Sequence, residues 1–146
     1  MLAAACQNPS STKPKVRLLY LGNDLKLIAL LRQVLAEPVY LLVTCSDRES
    51  AVLFLKSDIP NQVLLIDLEW RGKNGLEVAR LARKLRHRKR MPIVLLVGAK
   101  LNRRRQTVAA EAGVTTWMLK TEDIGEAIKR VMHSAEASLF GAVARP

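Results

Sequence analysis

Three short apolar runs in this 146-residue chain end on groups that could do chemistry. Val16-Arg-Leu-Leu-Tyr-Leu21 runs into Gly22-Asn23-Asp24, Gln62-Val-Leu-Leu-Ile-Asp67 closes on a carboxylate, and Thr116-Trp-Met-Leu119 is followed by Lys120. A carboxylate at the end of a buried strand, with other oxygen ligands near it, can hold Mg²⁺, a hard ion that keeps several of its waters. Asp67 could also attack a phosphoryl group, with the metal and Lys120 neutralising the transferring oxygens. No Ser-His-acid set, metal-spaced Cys/His cluster or glycine-rich phosphate loop competes with this grouping. His87 falls in a basic turn and His133 on a terminal helix.

The elements that must position these groups follow from pattern. After the Gly22-Asn23-Asp24 turn, Leu27, Leu30, Leu31 and Val34 recur at helical spacing over Leu25 to Ala36, stopping before Pro38. Val39 to Thr44 predicts a second strand, and Ser46 or Asp47 caps a helix carrying Ala51, Leu53, Phe54 and Leu55. The run ending at Asp67 is the third strand, and a loop over Gly72 to Gly75 leads into a helix from Leu76 to about Arg88. Pro92 to Val97 predicts a fourth strand, followed by Gly98. A basic helix over Leu101 to Ala112 closes at Gly113, a residue suited to a left-handed cap. The fifth strand, Thr116 to Leu119, precedes a last helix from Asp123 to about His133.

Five continuously apolar strands alternating with five helices predict an α/β fold with a parallel sheet covered on both faces. Right-handed crossovers make it a doubly wound, flavodoxin-like sheet, whose ligands sit beyond the carboxyl ends of the strands. Residues 1–15 read as a flexible leader, 16–137 as the one folded domain, and 138–146 as a tail. The apolar runs are far shorter than the roughly 20 residues a membrane-spanning helix needs. The two cysteines, Cys6 and Cys45, cannot build a disulfide scaffold, and a reduced, cytoplasmic setting is expected.

The residues in this order resemble the receiver domain of bacterial two-component response regulators. The pieces that carry the resemblance are Leu-Leu-Ile-Asp67-Leu-Glu-Trp, Gly75-Leu-Glu-Val-Ala, Pro92-Ile-Val-Leu-Leu-Val and Ala112-Gly-Val-Thr-Thr-Trp-Met-Leu-Lys120, over about Val16 to Val131. The intervals of 44 residues from Asn23 to Asp67 and 53 from Asp67 to Lys120 also suit that family. The resemblance implies that Asp67 accepts a phosphoryl group from a histidine kinase phosphohistidine, with Lys120 beside it. It implies Mg²⁺ held by Asp67, Asp24 and the backbone carbonyl of Glu69, and a role as a phosphoacceptor rather than an enzyme.

The departures from the family pattern are specific. Gly22 and Asn23 stand where two acids are usual, which removes negative charge from the metal site. Gly98 stands at the Ser/Thr switch position, and Trp117 at the aromatic switch position. Thr121 replaces the proline that usually follows the lysine; a cis bond there would cost about 3 kcal/mol, so Lys120 could point differently, although pairing with Asp67 is the favoured reading. Trp70 could cover a loop or lid the site. A phosphorylation-independent protein-interaction module is therefore the alternative function.

The charge is the remaining feature. Lys and Arg number 24 against 13 acids, a net charge of +11, and the acid-free window from Arg80 to Arg105 carries the whole excess. On the expected fold it divides into two patches at opposite ends of the sheet, roughly 20 Å apart. Arg80 to Arg90 follows the third helix, where cations complement the helix dipole. Arg103, Arg104 and Arg105 open the fourth helix, where the dipole disfavours them, and border the site. They read as a patch for an acidic partner or a second copy of the chain. Binding of nucleic acid is less expected, because helix-turn-helix cues and exposed aromatics are few.

Overall fold

The structure, a computed structural model, describes residues 15–67, 74–121 and 123–144. In chain order the elements are β1 (Val16–Leu21), α1 (Leu25–Val34), β2 (Tyr40–Cys45), α2 (Arg48–Lys56), β3 (Val63–Asp67), α3 (Asn74–Lys84), a 3-10 turn (Arg86–Arg88), β4 (Ile93–Val97), α4 (Arg103–Glu111), β5 (Thr116–Leu119) and α5 (Ile124–Ala144). All strand pairs are parallel, in the order β2-β1-β3-β4-β5. This is the doubly wound, flavodoxin-like order expected from the alternation, and every strand ends at the same edge of the sheet.

Strand parity sorts the core into two layers. Leu19, Leu21, Leu64, Ile66, Ile93, Leu95 and Val97 face α2, α3 and α4, meeting Ala51, Leu55, Val78, Ala79, Ala82 and Ala109. Val16, Leu18, Tyr20, Val63, Leu65, Val94 and Leu96 face α1 and α5, meeting Leu27, Leu31, Ile124, Ile128 and Met132. The central strand β3 is buried along its whole length, Asp67 included. Parity places Asp67 on the α1/α5 face with Leu65 and Val63.

Helix boundaries differ from the pattern in instructive ways. Asp47, rather than Ser46, caps α2 by accepting from Ser50 N at 2.7 Å. The expected start of α4 at Leu101 moves to Arg103, because Asn102 caps it by accepting from Arg105 N at 2.8 Å. Gly113 lies at φ +101°, as a left-handed helix end requires, and a side chain there would run into Arg83. The largest correction is α5, which continues from the expected end near His133 to Ala144 and takes in most of the presumed tail. Ala135 and Leu139 extend its packed stripe against the core, and Tyr40 Oη donates to Glu136 Oε1 at 2.9 Å. The expected leader, apart from Lys15, and residues 145–146 lie outside the described residues.

Among the described residues, no helix is long and apolar enough to cross a membrane. The basic stretch after α3 is also less of a solvated surface than its charge implied. Arg88 is buried, donating from Nε to Leu55 O at 3.0 Å and from Nη2 to Phe54, Ser57 and Ile59 O at 3.2, 3.1 and 2.7 Å. Arg83 donates to the carbonyls of Gly113, Arg88 and Lys89. Two cations assigned to helix-dipole complementarity are thus clasps, one on the carboxyl end of α2 and one between α3 and the turn before β5.

Candidate functional site

The carboxyl edge of the sheet brings together Asp67 from β3, Asp24 from the β1–α1 turn and Lys120 from the end of β5. Lys120 Nζ lies 2.7 Å from Asp67 Oδ2 and 3.2 Å from Asp24 Oδ2, so one ammonium joins both carboxylates. Its backbone fixes where it starts: Lys120 N donates to Val97 O at 2.8 Å, continuing the β4–β5 ladder one residue past the strand. No cis peptide occurs among the described residues, and Lys120 reaches Asp67 with Thr121 following it. Replacing the usual proline with Thr121 does not turn the side chain away from Asp67.

Asp24 has a second task. It is the N-cap of α1, with Oδ1 accepting from Leu27 N at 3.2 Å. That hydrogen bond, opposed by partial burial and reinforced by Lys120, holds its carboxyl below the ordinary carboxylate range. Burial works against the charged form of Lys120, but the hydrogen bonds and charges of Asp67 and Asp24 outweigh it and hold the ammonium above its ordinary value.

The fourth member escaped sequence reasoning. Tyr20 Oη donates to Asp67 Oδ2 at 3.1 Å and accepts from Asp24 N at 3.3 Å. Register explains the reach: Tyr20 pairs with Leu65, two residues before Asp67 on the same face, about 7 Å along the strand. A phenol is long enough to cover that distance. Burial pushes this phenol well above its ordinary range, and the charge on Asp67 pushes the same way, so it serves as a neutral donor. The available signal was one polar-tipped aromatic among the leucines of the strand run, at the parity of Asp67.

The other expected site residues are more scattered. Gly98 is exposed, one residue beyond the end of β4, whose last residue Val97 is buried; neither side chain offers a hydroxyl to the site. Trp117 is half-buried on β5 and packs on the cluster that includes Ala109 and Ala112. Arg103, Arg104 and Arg105 are exposed on α4 and pair with no carboxylate among the described residues. Glu69 and Trp70 lie outside the described residues.

Among the described residues, the donor set does not fit Mg²⁺. Gly22 and Asn23 contribute no carboxylate, and the carboxylates that remain are bridged by an ammonium. Among the described residues, no group of three or more His, Cys, Asp or Glu is placed to hold a metal ion. A Cβ on Gly22 would lie 2.6 Å from Tyr20 Cζ and 2.9 Å from Asp67 Cβ, so the phenol fills the space an acidic side chain there would need.

A five-stranded parallel sheet of order 2-1-3-4-5, with a carboxylate at the end of its central strand and a lysine at the end of the last, has the fold of the CheY-like response regulator receiver domains. Solved structures of that class superpose on most of the chain. The Vibrio cholerae chemotaxis protein CheY4 matches with a TM-score of 0.69 and 18% identity, covering 83% of this chain and 98% of its own. The receiver domain of a Pseudomonas aeruginosa sensor histidine kinase, with magnesium in its active-site cleft, matches with a TM-score of 0.68 and 18% identity, covering 82% of this chain and 96% of its own. A putative response regulator from Chloroflexus aurantiacus reaches 23% identity at a TM-score of 0.69, over 85% of this chain and 99% of its own. No family model matches the sequence, and no curated protein matches it by sequence.

Proposed function

We propose that the chain is a receiver-type signalling domain in which Asp67 accepts a phosphoryl group from the phosphohistidine of a histidine kinase. The observation that carries this reading is the 2.7 Å contact between Lys120 Nζ and the buried Asp67 carboxylate at the carboxyl edge of the sheet. In the transfer, a carboxylate oxygen of Asp67 forms the bond to phosphorus as the bond from phosphorus to the imidazole nitrogen breaks. The electron pair returns to the ring, which takes a proton from water. Lys120 is placed to neutralise the transferring oxygens, which is the main catalytic demand of such a step. Tyr20 orients the carboxylate. The chain is then a phosphoacceptor and not an enzyme with its own substrate.

Exposed Arg103, Arg104 and Arg105, on the helix that follows β4 at the site's end of the sheet, supply a docking face for an acidic signalling partner. A second copy of the chain is the other occupant to consider. A cytoplasmic location belongs to the same reading. Incubation with phosphoramidate, followed by intact mass measurement, tests the proposal. One added phosphoryl group, lost on hydroxylamine treatment and absent from Asp67→Asn, is expected; an unmodified wild-type chain that remains folded overturns it.

A further inference from the structure

We infer that Tyr20 and Gly22 are a matched pair that closes the Asp67 site to divalent cations, the Tyr20 hydroxyl and the Lys120 ammonium taking over as partners of the carboxylate. The inference concerns how the proposed acceptor is held and draws its functional meaning from that reading, but its test does not use phosphorylation.

Three observations converge. Tyr20 Oη is committed in both directions, accepting from Asp24 N and donating to Asp67 Oδ2, so its proton is aimed at the carboxylate. Both the hydroxyl and the ammonium fall on Asp67 Oδ2, so a metal on that oxygen would have to displace one of them. The position of the phenol exists only because residue 22 has no Cβ: one would fall on the end of the Tyr20 ring and against Asp67. The ring cannot move aside freely, because Tyr20 is fully buried between Leu18, Leu65 and the α1/α5 layer. Finally, Lys120 offsets one of the two negative charges carried by Asp67 and Asp24, which weakens the field that would draw a hard cation from its water shell. Tyr20 is in this sense a positioning residue: it acts on the reaction through Asp67.

A metal titration and a stability cycle test the pair. Mn²⁺ is titrated into the wild-type chain and into Tyr20→Leu/Gly22→Asp/Asn23→Asp, with free Mn²⁺ read by electron paramagnetic resonance and the fold checked by circular dichroism. The wild type is expected to show no saturable site tighter than about 1 mM, and the triple variant to gain about tenfold or more. Wild-type binding as tight as the variant's, or a folded variant that gains nothing, overturns the inference. Should the triple variant fail to fold, Gly22→Ala decides the matter on its own. It should lower the melting temperature clearly in the Tyr20 chain and by less in the Tyr20→Leu background, where only the approach to Asp67 Cβ remains. Equal losses in both backgrounds overturn the pairing.

Discussion

Lys120 is the side chain on which the site depends. Its partner Asp67 is buried and its own head is only partly exposed, so truncation takes the ammonium away from a buried carboxylate that keeps the Tyr20 hydroxyl. Lys120→Ala should therefore cost about 3 kcal/mol in urea unfolding. Tyr20→Phe, which deletes two hydrogen bonds and keeps the ring, should cost about 2 kcal/mol. The pH dependence follows from the directions of two shifts. The raised Lys120 contributes stability that is complete below the ordinary lysine value of about 10.4 and is lost as pH rises through its higher folded value. The lowered Asp24 contributes stability that is present above about 3.9 and is lost as pH falls through its depressed value. Urea midpoints should thus form a plateau between these limits, and Lys120→Met should flatten the alkaline limb. An alkaline limb of unchanged depth in that variant would show that another group sets it. Asp67 and Lys120 were legible from type and spacing at strand ends. Tyr20 was not, since only the β1–β3 register puts its hydroxyl on Asp67.

At the scale of elements, two cations and one helix depart from what local pattern predicts, for identifiable reasons. A charge count treats Arg88 as one more solvated base, yet the 3-10 turn directs its guanidinium into the carboxyl end of α2, onto four carbonyl groups. Arg88→Met should cost about 3 kcal/mol, because charge-assisted bonds are lost and buried carbonyls are left unpaired. Arg88→Lys should recover little, since a single ammonium cannot span a fork of acceptors. Amide hydrogen exchange localises the effect: protection should fall over residues 54–59 first. The length of α5 was hidden by Ser134, Ser138 and small residues that dilute its apolar stripe. Its second half is nonetheless anchored by Leu139 and by the Tyr40–Glu136 bond. Removing residues 134–146 should lower stability by about 2 kcal/mol, whereas a true tail would be lost without effect.

At the scale of the molecule, the net charge of +11 resolves into cations of different kinds. Arg83 and Arg88 bind the chain's own carbonyls, while Arg103, Arg104 and Arg105 stand exposed with no described counter-charge. Replacing all three with Gln should shift the melting temperature little, as surface substitutions commonly do, while weakening association with an acidic partner in a salt-dependent way. Pull-down against a histidine kinase at two ionic strengths reads both effects; equal binding by the variant would remove α4 from the docking face. The sequence by itself determined the layered α/β fold, because continuous apolar runs alternating with helical periodicities admit little but a covered parallel sheet. It also determined which strand ends carry a carboxylate and a lysine, because those groups close the runs. Only the tertiary structure decided that a phenol completes the site, that a glycine makes room for it, and that two arginines turn inward. Each of these depends on atoms far apart in the chain meeting within hydrogen-bond distance, and local pattern carries no record of such meetings.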